Sequence, residues 1–148
     1  MSITLRKAEP IDTPAIIALV KELAESTGET SAVDARSVQD YLAFPGCEVI
    51  LAEVDFQPAG LISFSIKPNL YHGGNTCVVE ELVSSPAHRG KGIGASLLER
   101  VKQIAQERHC AELGLGVLLD NHSAIRFYKQ HGLSDDALWL EMHFTQGD

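Results

Sequence analysis

The sequence lacks the features that would place it in several large protein classes. It has no cluster of basic residues, and its 12 Lys and Arg are outnumbered by 20 Asp and Glu, giving a net charge of −8. That balance argues against a nucleic-acid backbone or an anionic membrane as the main partner. No stretch is long and apolar enough to span a bilayer, and Met1-Ser2-Ile3-Thr4-Leu5-Arg6-Lys7 lacks an apolar signal core. A cytoplasmic location is the expectation that remains. The six histidines fall in no HExxH or similar spacing, so no metal is expected. The three cysteines, Cys47, Cys77 and Cys110, are odd in number, widely spaced and set among apolar residues. They read as buried free thiols in a reducing compartment, and none stands in a motif that would make it a nucleophile. Repeats, linkers and low-complexity runs are also missing. A chain of 148 residues, 45% hydrophobic, is expected to form one domain, residues 1–148, with its own core.

What is present is a regular succession of elements. Ile3 to Ala8 alternates as a strand. Asp12 can cap a helix with Pro14 in its first turn and Ile16, Ile17, Leu19, Val20 and Leu23 at helical spacing. Gly28 to Val33 reads as loop, and Asp34 can cap a second helix that Pro45-Gly46 closes. Cys47 to Val54 and Ala59 to Ile66 read as strands joined by Asp55-Phe56-Gln57-Pro58, followed by a loop from Pro68 to Gly74 and a strand from Thr76 to Val83. Gly92 to Arg108 is predicted helical. Ala111 to Leu118 reads as a strand buried on both faces, Asn121 to His131 as a capped helix, and Ala137 to Phe144 as a last alternating strand. The order predicts an α+β fold with a mixed central sheet of about six to seven strands and helices on both faces.

The densest signal lies between the strand ending at Val83 and the helix beginning near Gly92. Arg89-Gly90-Lys91-Gly92-Ile93-Gly94 places three glycines in five residues. Such a segment curls tightly, leaves its N–H groups uncovered and meets the positive end of a helix dipole. It is suited to phosphate or pyrophosphate. A plain tight turn is the alternative. The spacing is neither that of a Walker loop nor the G-x-G-x-x-G dinucleotide fingerprint.

Read with its flanks, Glu80-Glu81-Leu82-Val83-Ser84-Ser85-Pro86-Ala87-His88-Arg89-Gly90-Lys91-Gly92-Ile93-Gly94 resembles the acetyl-CoA signature of the GNAT family of N-acetyltransferases, Arg/Gln-x-x-Gly-x-Gly/Ala after a Pro-containing strand exit. Asn121-His122-Ser123-Ala124-Ile125-Arg126-Phe127-Tyr128 resembles that family's Asn-x-x-Ala-x-x-Phe-Tyr segment. His131-Gly132-Leu133 follows where the family usually has Gly-Phe. The resemblance is strongest over residues 76–133. It implies a sheet splayed at a cofactor slot and acetyl-CoA as cosubstrate, without metal. Arg89, Gly90, Lys91, Gly92, Ile93, Gly94 and Ala95 would then meet the pyrophosphate. Leu82, Val83 and Ser84 would offer strand backbone to the pantetheine arm, which resembles a peptide. Asn121 would touch that arm or cap its helix. The family also makes a homodimer compatible with this chain.

By the same resemblance the enzyme would move an acetyl group from acetyl-CoA to a primary amine of a small molecule by direct attack. Alternatives are a peptide or protein N-acetyltransferase, or a non-catalytic acyl-CoA-binding regulatory module. The amine must lose a proton before it attacks, which calls for a base. The family's register places that role on Glu80, with Glu81 or a chain of waters as alternatives. Glu80 and Glu81, as neighbours on a strand, are expected to face opposite sides, Glu80 sharing its face with Val78 and Leu82. Tyr128 occupies the place of the family's proton donor to the departing thiolate, and the Leu82 N–H that of its oxyanion donor. Glu22, Glu25, Glu29 and Asp34, with Tyr41, Tyr71 and His72, are candidates for the walls of the acceptor pocket.

Overall fold

Short apolar alternations and one tight turn build a meander. Strands β1 (Ile3–Lys7), β2 (Cys47–Val54), β3 (Gln57–Asn69) and β4 (Gly74–Ser84) pair antiparallel in sequence order. The β2–β3 turn is tighter than the sequence suggested. Asp55 and Phe56 both take left-handed backbone (φ 49° and 65°), as a two-residue hairpin requires, so β3 starts at Gln57. Helix α3 (Ile93–Glu107) then crosses over, and β5 (Cys110–Leu115) joins the edge parallel to β4. The computed structural model describes residues 2–145, and they divide into two compact units, the first ending at Leu115 and the second beginning at Gly116.

In the first unit, helices α1 (Thr13–Ser26) and α2 (Ala35–Ala43) cover one face of the sheet. Ile16, Leu19 and Val38 pack there with Val49, Leu51, Leu61 and Val83. Asp34 begins α2 as expected: its side chain accepts the Ser37 N–H at 2.8 Å, and Ser37 Oγ accepts the Asp34 N–H at 3.0 Å. Asp12 does not cap α1. Its carboxylate is held by both terminal nitrogens of Arg6 at 2.9 and 2.8 Å and accepts the Glu9 N–H at 2.8 Å, so it serves the residues before the helix and no amide of α1.

Helix α3 covers the other face through Ile93, Leu97, Leu98 and Val101, none more than 1% exposed. Gly60 lets its first turn lie directly on β3. A Cβ there would stand 2.9 Å from Ile93 Cγ2 and 2.7 Å from the Val83 carbonyl oxygen. This close contact fixes the glycine loop against the end of the sheet.

Three expectations need correction. β5 is not buried on both faces: Ala111 and Glu112 are exposed, because β5 is the edge strand of this sheet. Among the described residues the sheet has five strands, not six to seven. The second unit holds α4 (His122–Gln130), but Ala137 to Phe144 is in no ladder among the described residues. Leu138, Leu140, Met142 and Phe144 are 74–81% exposed. Alternation marks an apolar face. A strand also needs a partner's N–H and C=O groups, which alternation does not supply.

Candidate active site

The site begins with a defect in the β3–β4 ladder. Ser63 pairs with Glu81 and Phe64 with Val79, so Glu80 is the unpaired residue of a bulge. The expectation that Glu80 shares a face with Val78 and Leu82 fails here. Val78 pairs with Ser65 and Leu82 with Ile62, which lie on opposite faces, because the extra residue shifts the alternation. Glu80 is exposed. Glu81 is half-buried on the face that α1 and α2 cover, beside Ser63.

Ser63 locks Glu81 from two sides. Its hydroxyl donates to Glu81 Oε1, and its oxygen accepts the Glu81 N–H at 2.9 Å. Burial pushes the Glu81 carboxyl above its ordinary pKa; the Ser63 hydrogen bond opposes this, and the neighbouring Glu80 charge adds to it. Tyr41, from α2, donates to the Phe64 carbonyl beside the bulge at 3.1 Å. Burial, with the Glu80 carboxylate second, raises the Tyr41 phenol well above its usual range. Ser63 had no sequence signal of its own: it lies 18 residues from Glu81, and only the bulged register brings them together.

The same bulge precedes an open edge. β4 pairs with β5 only as far as Val79↔Leu115, while β4 itself continues to Ser84. The Glu81 N–H and the Ser85 N–H, which reaches the Ala59 carbonyl at 2.8 Å, both point toward β3. Peptide groups alternate along a strand, so Leu82 and Ser84 aim theirs at the outer edge. Val83 instead directs its backbone at β3, and its side chain is buried near Leu61.

Beyond Ser85 the chain makes a 3-10 turn, Pro86–His88, with Ser85 Oγ 2.7 Å from His88 Nδ1. Gly90 and Gly92 then take φ of 78° and 80°, a conformation costly for any residue with a side chain. Gly92 is the N-cap of α3 and has no side chain with which to cap it. The first N–H groups of α3, at Ile93, Gly94 and Ala95, are therefore available to an anion. The Ile93 side chain is committed to the core. Arg89 and Lys91 are exposed beside this loop. A Cβ on Gly90 or Gly92 would meet nothing within 4 Å, so the hollow is open on that side.

A cavity of about 360 Å³ opens against Glu81 on the α1/α2 face. Ile16, Val20, Val33, Val38, Leu42 and Leu61 make its apolar walls, and among the described residues Glu81 is the only charged one that lines it. Of the acidic residues suggested for this role, Asp34 caps α2 and Glu25 and Glu29 are exposed. Glu22 Oε2 is buried without a hydrogen-bond partner, and Glu22 is not among the cavity's lining. His72 and Tyr71 lie before β4 begins at Gly74, eight strand residues short of Leu82 and so roughly 25 Å from it. His72 sits 3.4 Å from Glu112 instead. The free thiols are unreactive by environment: burial pushes Cys77 up to about 12 and raises Cys47 and Cys110.

In the second unit, the Asn121 side chain accepts the Ala124 N–H at 3.3 Å and so caps α4. Its amide nitrogen is left for another acceptor. Tyr128 lies on α4 one residue after Phe127, their rings edge to face at 5.3 Å, and burial raises its phenol pKa.

Residues 15–133 match the sequence profile of the acetyltransferase (GNAT) family. The chain belongs to that family. As a member it is an acetyl-CoA-dependent N-acetyltransferase. It is 25% identical to the thialysine N-epsilon-acetyltransferase of Mus musculus over 97% of this chain and 92% of that one. It is 28% identical to the aminoalkylphosphonate N-acetyltransferase of Salmonella typhimurium over 86% and 82%. A crystal structure described as a transcriptional regulator from Bacillus halodurans C-125 superimposes with a TM-score of 0.85 at 25% identity, covering 97% of this chain and all of that one. The α+β fold of the family, with a mixed five-stranded sheet, is therefore the fold of this enzyme. Among the described residues no helix is long and apolar enough to cross a membrane, and no group of His, Cys, Asp or Glu is placed to hold a metal ion.

Proposed function

We propose that this enzyme acetylates a primary amine of a small molecule by direct attack, with Glu81 as base and Tyr128 as acid. The observation that carries the reading is the bulge at Glu80. It sets a half-buried carboxylate at the head of a cavity, next to the point where β4 loses its partner strand. The relatives named for thialysine and aminoalkylphosphonates act on small amines, which supports the same substrate class here.

The residues fit acetyl-CoA. Gly90 and Gly92 shape an uncapped helix start for its pyrophosphate, with Arg89 and Lys91 adding positive charge. Leu82 and Ser84 turn their peptide groups to the edge on which an amide-bearing arm can pair. When bound, the cosubstrate supplies the acetyl group as a thioester. Glu81 takes a proton from the ammonium form of the acceptor, and its raised pKa brings it nearer to neutral pH, where a base works best. The Leu82 N–H, on the open edge, is the donor assigned to the developing oxyanion. Tyr128 carries the acid role by its place in the Asn121–Tyr128 motif, donating its phenolic proton to the departing thiolate. Glu80, exposed on the bulge, is the alternative base.

Thiol release from acetyl-CoA across a panel of amines tests the reaction, and initial-rate patterns test direct attack. Intersecting lines are expected; a ping-pong pattern or an isolable acetyl-enzyme would refute direct transfer. Tyr128→Phe should lower kcat on the order of 10²-fold, the usual scale for a lost proton donor, with acetyl-CoA affinity unchanged. An unaltered kcat removes the acid assignment. Tight binding of CoA with no turnover on any amine or peptide would favour a regulatory module.

A further inference from the structure

The lining of the cavity beside Glu81 is selective in charge. Among the described residues it contains no Lys, Arg or His, so a phosphonate or carboxylate on the acceptor would be desolvated there without a counter-charge. It contains one carboxylate, so a single ammonium can be matched and a second one cannot. Its remaining polar groups are hydroxyls, and they are largely engaged. Tyr41 donates to the Phe64 carbonyl, Ser63 is closed on Glu81, and Ser37 serves the start of α2. The apolar walls come from both helices and the sheet: Ile16 and Val20 from α1, Val38 and Leu42 from α2, Leu61 from β3. A water occupies about 30 Å³ in the liquid, so the 360 Å³ available suits a ligand on the order of a dozen non-hydrogen atoms.

We propose that the acetyl acceptor is a monocationic primary amine on an uncharged, mainly apolar body of about that size, seated between α1, α2 and the sheet with its nitrogen at Glu81. This rests on the acetyl-transfer reading and narrows it. The apolar body gains from leaving water against Val33, Leu42 and Leu61, and the ammonium exchanges solvent for one carboxylate already oriented by Ser63. Polyamines, aminoglycosides and amines carrying an acidic group are the classes such a lining rejects, because each brings charge that it cannot pair.

The test separates binding from turnover. Calorimetry on the full chain saturated with CoA would compare 2-phenylethylamine and n-octylamine with spermidine, neamine and 2-aminoethylphosphonate, and thiol release from acetyl-CoA would be read on the same panel. The two apolar amines should bind at least tenfold more tightly than the other three and show the highest kcat/KM. Val33→Glu adds a second carboxylate to a half-buried wall position; it should weaken 2-phenylethylamine about tenfold and improve spermidine. Equal or tighter binding of spermidine, neamine or 2-aminoethylphosphonate overturns the proposal, as does the absence of measurable binding by both apolar amines. Binding of the apolar amines without thiol release supports this assignment of the cavity and refutes acetyl transfer to them.

Discussion

On the α3 face of the sheet, Ile62, Phe64, Leu97, Leu98 and Val101 are sealed from solvent at 0% exposure. On the α1/α2 face of the same strands, a cavity of about 360 Å³ remains open beside a half-buried carboxylate. Both faces have apolar residues at the correct alternation. What separates them is the bulge at Glu80, which shifts β4 so that Glu81 stands opposite Ser63, where the unbroken register from Phe64↔Val79 would put Glu80. The close-packed face holds the fold. The open face gives up packing and tolerates a raised carboxyl pKa, a pattern expected where chemistry is done.

The largest effect should come from the carboxylate on the open face. Glu81→Gln is expected to lower kcat/KM for the best amine by about 10²–10⁴-fold, the range for a lost general base. The matching Glu80→Gln should stay within about tenfold, since that side chain is exposed and its contribution is screened. If the two variants exchange these values, the base is Glu80 and the cavity's head group has been misassigned. A bell-shaped pH profile would add to this. Its acid limb should lie above the ordinary carboxylate range in the wild type, because burial raises the Glu81 pKa, and disappear in Glu81→Gln.

Packing should separate the faces next. Leu97→Ala on α3 is expected to cost about 2–5 kcal/mol, since it empties a sealed site. Leu42→Ala lines a space that already exists and is half-buried, so it should cost roughly 1 kcal/mol or less. Denaturant titrations would read both. Equal losses would mean that the cavity is closed in solution, and the contrast between the faces would go with it.

The α3 side reaches the proposed cofactor loop only at its first turn. Gly92→Ala adds a Cβ that meets nothing within 4 Å, so its cost is conformational: about 1–2 kcal/mol for forcing φ of 80° on a residue with a side chain. Acetyl-CoA affinity should fall with it, because the loop's amides lose their aim. A stable variant with unchanged affinity would show that the loop is a turn and nothing more.

These contrasts follow what could be read from the sequence and what could not. The glycine loop, α2 with its Asp34 cap and the span of β2 were legible because each is decided by neighbours in sequence. The Ser63–Glu81 pair was not, because a bulge is set by how two strands settle against each other and by Tyr41 reaching the Phe64 carbonyl from α2. Asp12 looked like a cap until Arg6, from a neighbouring strand, claimed both of its oxygens. Ala137 to Phe144 shows the reverse error: the residues had the right alternation, and the missing quantity was a partner. Of the candidate site, the proposed choice of Glu81 over Glu80 and the apolar walls rest on register alone, and the acid role proposed for Tyr128 rests on its motif.

The smallest expected effect concerns stability, and its sign follows from the direction of the Glu81 shift. The folded state holds the Glu81 proton more firmly than the unfolded chain, whose carboxyl has the ordinary value near 4.5. Between that value and the raised one the native state binds more protons, so rising pH removes stability through this window. Gln at the same position keeps an acceptor for the Ser63 hydroxyl and never ionises. At about pH 4 the wild type and Glu81→Gln should therefore melt nearly together. At about pH 8 the variant should be the more stable, by roughly 0.5–2 kcal/mol, the usual gain when a functional constraint is released. A variant less stable than the wild type at the higher pH would mean that the ionised carboxylate is stabilised where it sits, and burial would no longer support Glu81 as the proposed base.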